Sequence, residues 1–88
     1  MKALITFDST SHALSGETAL QDKGLAVSLM GRPVELGGDC GFCLRVEWED
    51  LDIALIVLSE AGFIWQGAYL DFKHELPRYR LIRPSPTT

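Results

Sequence analysis

At 88 residues, 47% of them apolar and 23% charged, the chain is sized for one domain, with a core large enough to fold alone and little stability to spare. A net charge of −4 argues against non-specific attraction to nucleic acid or anionic membrane as a driving force. No apolar run approaches the ~20 residues needed to cross a bilayer, and the opening MKALITFDST is too short for a signal-peptide core; a cytoplasmic location is therefore expected, where thiols stay reduced.

Residues 3–7 (ALITF) read as a buried strand closed by Asp8. Ser9, Thr10 and Ser11 are candidate N-caps for a helix running to Lys23, because a hydroxyl oxygen there accepts an otherwise unpaired backbone N–H. Gly24 ends that helix, and residues 25–30 (LAVSLM) form a second strand. Arg32-Pro33 through Gly38-Asp39 is loop. From Phe42 to Trp48, apolar Phe42, Leu44, Val46 and Trp48 alternate with Cys43, Arg45 and Glu47, the period of a half-buried strand. Glu49-Asp50 open a second helix, in which Leu51, Ala54, Leu55 and Leu58 recur at helical spacing up to the stop at Gly62. Phe63 to Phe72 is the fourth strand, bent at Gly67.

Strand, helix, glycine, strand therefore occurs twice. That order predicts an α+β, ferredoxin-like βαββαβ sandwich: a four-stranded antiparallel sheet with two helices on one face. Residues 1–73 make the single domain. Pro77 and the closing RPSPTT cannot hold a central strand, so 74–88 are expected to be a flexible tail.

In such a fold the first two strands end at the same edge of the sheet, which brings the loop after each of them together. Cys40, flanked by Gly38-Asp39 and Gly41, is then expected beside the N-terminus of the first helix, whose positive dipole end favours a thiolate. Arg32 or Arg45 adds to this field if it points the same way, and His12 is a candidate proton donor or acceptor. Cys43 lies inside a strand and reads equally as a half-exposed structural residue or as a resolving thiol. His74, near the end of the fourth strand, is remote from both cysteines, so neither a zinc site nor any resident cofactor is read.

Cys-Gly-Phe-Cys is a poor thioredoxin motif, because it enters a strand where redox pairs open a helix. A soft-metal or redox domain using both thiolates stays open as an alternative. So does a regulatory or protein-interaction module dimerising through its sheet, with Trp48, Trp65, Tyr69 and Phe72 as candidate exposed aromatics.

The order F-D-S-T-S-H at Phe7 to His12, a proline after the second strand, and D-C-G-F-C-L-R at Asp39 to Arg45 resemble the short bacterial proteins of the selenium/sulfur carrier-like family, over nearly the whole chain up to about Tyr69. The resemblance implies that Cys40 is the carrier thiol, holding sulfur as a persulfide or selenium as a selenosulfide, with Gly41, Arg45 and His12 matching the family's neighbouring positions. It further implies sulfur- or selenium-donor and acceptor proteins as partners, and a carrier in place of an enzyme. Two departures stand out: Gly37-Gly38 replaces a serine-rich pair, and Cys43 occupies a position expected to hold a small non-thiol residue.

Overall fold

The computed structural model describes residues 1–38 and 41–86. Five strands and two helices follow one another as β1 (Lys2–Phe7), α1 (Thr10–Asp22), β2 (Val27–Gly31), β3 (Phe42–Glu47), α2 (Leu51–Glu60), β4 (Trp65–Asp71) and β5 (Tyr79–Pro84), with short 3-10 turns at Val34–Leu36 and Trp48–Asp50. They form one sheet in the order β2-β3-β1-β4-β5, with every neighbour antiparallel. Because β1 and β2 both run against β3, they run parallel to each other, and their C-terminal ends lie at the same edge.

The four-strand expectation is corrected to five. The extra strand comes from the segment assigned to the tail, and the proline argument misleads for a definite reason. Proline excludes a central strand, but β5 is an edge, and Pro84 occupies its last position, opposite Gly67. Asp71, almost fully buried, holds the connection into β5 by accepting two hydrogen bonds from the Arg78 guanidinium, at 2.7 and 3.0 Å. That guanidinium keeps the Asp71 carboxyl below the usual carboxylate range.

Ala3, Ile5 and Phe7 of β1, Leu44 and Val46 of β3, and Trp65 and Ala68 of β4 meet Ala13 and Leu20 of α1 and Leu51, Ala54, Leu55 and Leu58 of α2 in one buried cluster. The helices cross closely at Gly16, where an added Cβ would lie 2.8 Å from Leu58 Cδ2. Both helices stop at a glycine with φ +80°, Gly24 and Gly62. The following residues return hydrogen bonds to the last turn, Leu25 N–H to the Leu20 carbonyl at 3.1 Å and Phe63 N–H to that of Leu58 at 3.0 Å. Leu4, Thr6 and Cys43, on the sheet face away from the helices, are also fully buried. A central strand covered on both faces loses its alternation of buried and exposed positions, which is why β1 reads as a continuous apolar run.

Candidate functional site

At the C-terminal end of β1 the chain turns at Asp8, and Ser9 caps α1. The Ser9 Oγ accepts the His12 N–H at 3.0 Å, with the Ser9 backbone extended at φ −127° and ψ 142°. Of the three hydroxyl residues predicted there, Ser9 is the cap, while Thr10 and Ser11 are exposed in the first helical turn.

The residue that draws this end together is Arg32. Its Nη1 donates to the Phe7 carbonyl at 3.2 Å and to Gln66 Oε1 at 3.3 Å, and its Nη2 donates to the Leu36 carbonyl at 3.3 Å. One side chain thus ties the end of β1, the start of β4 and the β2–β3 connection. Its Nε is buried without a hydrogen-bond partner among the described residues. The Arg32 backbone N–H donates to the Gly41 carbonyl at 2.9 Å. Gly38, at φ +90°, lies so close that an added Cβ would fall 2.6 Å from the guanidinium carbon. Gly37 also has positive φ, +61°, so the pair supplies both a left-handed turn and room for the guanidinium.

Gln66 reaches this network through a β-bulge. Thr6 pairs with Gly67 while Phe7 pairs with Trp65, which leaves Gln66 as the extra residue on β4. Its Nε2 donates to Asp8 Oδ1. Neither Asp8 nor Gln66 was read as a site residue. The available signal was a polar residue between Trp65 and a strand-interior glycine, a pattern that marks a bulge.

His12 accepts the Ile64 N–H on Nδ1 at 3.1 Å, and its ring packs tilted against Phe63 at 5.8 Å. The acceptor role of Nδ1 leaves Nε2 as the nitrogen that carries the proton in the neutral ring. His12 is therefore tied to the α2–β4 connection by one nitrogen and carries its N–H donor on the other.

The remaining expected residues fall in different places. Cys43 is fully buried, opposite Thr6, and not half-exposed as its alternation suggests. Arg45 is exposed and pairs with Leu4, four residues along β3 from Gly41, or about 13 Å of extended chain. Arg32, not Arg45, is the cation at the loop. Gly41 is exposed at the start of β3. His74 is exposed in the β4–β5 connection, lining a groove of about 470 Å³ with Met1, Lys2, Asp71 and Phe72. Cys40, with Asp39, lies outside the described residues. Among the described residues no cluster of three His, Cys, Asp or Glu side chains could hold a metal ion, and no helix is long and apolar enough to cross a membrane.

A family model described as "Putative Se/S carrier protein-like" matches residues 2–70. That span takes in β1 through the greater part of β4, and with them Arg32, the glycine-rich connection and the start of α1. Neither the curated proteins nor the solved structures yield a match.

Proposed function

The chain belongs to the Se/S carrier protein-like family, and from that premise we propose that it carries sulfur or selenium on Cys40 as a persulfide or selenosulfide. The observation that supports this most is the double hold of Arg32 on the described residues either side of Asp39-Cys40: its guanidinium lies against Gly38 and its backbone N–H binds Gly41. A fixed guanidinium on the same short connection, at the sheet end where α1 begins, favours an ionised thiol over a neutral one. The antiparallel order β2-β3-β1-β4, with α1 and α2 between its strands in the chain, supports reading the first four strands as a ferredoxin-like unit to which β5 is added.

The transfer itself needs no outside oxidant. A Cys40 thiolate attacks the terminal sulfur of a donor persulfide, the new S–S bond forms as the donor's S–S bond breaks, and the donor thiolate leaves. The loaded thiol then offers its outer sulfur to an acceptor nucleophile by the same step in reverse. With Nδ1 accepting from Ile64, His12 Nε2–H is in this reading a hydrogen-bond donor that favours the thiolate. Ser9 holds the start of α1, Thr10 and Ser11 line its exposed first turn, and Gly41 accepts the Arg32 N–H on its carbonyl. Cys43 is optional: at zero exposure it meets a bound sulfur only after local opening of β3.

Intact-mass spectrometry after incubation with a cysteine desulfurase and cysteine tests the reading. A gain of one sulfur atom, absent in Cys40→Ser and kept in Cys43→Ala, is expected. No adduct, or one that persists in Cys40→Ser, removes the carrier assignment of this thiol.

A further inference from the structure

The sheet has two edges, β2 and β5, and they are protected differently. β5 carries Arg80, Arg83 and Pro84, the kinds of residue that discourage strand pairing. β2 is Val27-Ser28-Leu29-Met30-Gly31, with neither charge nor proline. In an antiparallel ladder, alternate residues turn their N–H and C=O groups toward the partner. The Arg32 N–H points inward to Gly41, so residues 28, 30 and 32 face β3 while 27, 29 and 31 face away. Leu29 agrees: its N–H leaves the sheet and meets Glu17 Oε2, reaching over from α1, at 3.1 Å. A carboxylate therefore occupies the central outward donor of an otherwise unprotected edge.

We propose that the outer edge of β2 is a strand-pairing surface for a second copy of this chain, and that Glu17 closes it in the isolated molecule. Antiparallel pairing about a two-fold axis at Leu29 sets the outward groups of Val27, Leu29 and Gly31 against the same groups of the other copy, so the edge is complementary to itself. Pairing must break one charge-assisted hydrogen bond in each copy and bring two carboxylates to the same axis. Removal of one side-chain type is thus felt twice in every dimer. A five-residue strand is short beside the interfaces of stable dimers, so the open edge gives a weak dimer and the closed edge a weaker one.

Sedimentation velocity over a concentration series distinguishes the states. Glu17→Ala, which places the best helix former in α1, is expected to dimerise at least tenfold more tightly than the wild-type chain. Adding Gly31→Pro, at a position where a Cβ meets open space and the N–H faces outward, is expected to return it to monomer. Equal dissociation constants for wild type and Glu17→Ala overturn the proposal, as does a dimer indifferent to Gly31→Pro. Amide exchange at Leu29 gives a second readout that does not depend on the double variant folding. Exchange there should be faster in dilute Glu17→Ala than in wild type and should slow as concentration rises; unchanged exchange rejects the role of Glu17.

Discussion

Arg32 and Cys43, on either side of the β2–β3 connection, are used very differently. The Arg32 guanidinium donates to the backbone carbonyls of Phe7 and Leu36 and to Gln66, so its forked shape fixes where its charge sits. A lysine cannot present donors in that fork. Arg32→Lys is expected to leave the core folded but to raise amide exchange at Leu36 and Gly37 well above that of wild type. Gly38→Ala attacks the same contact from the other side. A methyl group there meets the guanidinium at 2.6 Å and holds φ +90°, so a loss of about 1–3 kcal/mol in urea unfolding is expected. Cys43→Ala empties a buried site opposite Thr6 and should cost about 1–2 kcal/mol while leaving sulfur loading intact, which separates structural from carrier thiol in one pair of measurements.

Among the elements, the two helices and the first four strands were legible because each carries a local signal: the Ser9 cap, glycines at both helix ends, the alternation from Phe42, and the apolar run of β1. Two features escaped because their cause is not local. β5 forms as an edge strand tied down by Asp71 and Arg78 across a turn, and Cys43 is buried because the second face of the sheet is covered too. Of the site, the shared end of β1 and β2 followed from topology alone, whereas the Arg32–Gln66–Asp8 network depends on a bulge that only the register reveals. The helix crossing yields a sharper test. Gly16 sits against Leu58, Leu44 and Phe7, so Gly16→Leu forces the helices apart and should cost about 2–3 kcal/mol, measured by chemical denaturation, despite the better helix propensity of leucine.

For the whole molecule, pH acts on the β4–β5 margin through Asp71 and Tyr79. Asp71 has a lowered carboxyl, so its contribution is complete above the unfolded value of 3.8 and is lost as pH falls through the folded one. Glu47, paired with Lys2, is lowered too, but that pair is open to solvent and adds little. Tyr79 is raised, chiefly by burial, with the carboxylates of Asp71 and Glu35 adding to the effect; a raised phenol favours the folded state below its unfolded value of 10.0 and loses that advantage as pH climbs past it. Both limits fall on residues that fasten β5. Asp71 should therefore weaken the fold on the acid side and Tyr79 on the alkaline side. Asp71→Asn, expected to cost about 1–2 kcal/mol near neutrality, should flatten the acid arm of urea midpoints measured from pH 6 to pH 3. Native-state amide exchange at pH 3.5 should show β5 opening before β1 and β3, since an edge strand paired on one side opens at lower cost than the doubly covered centre. If β1 exchanges as fast as β5 under those conditions, the acid transition is global and Asp71 is not its origin.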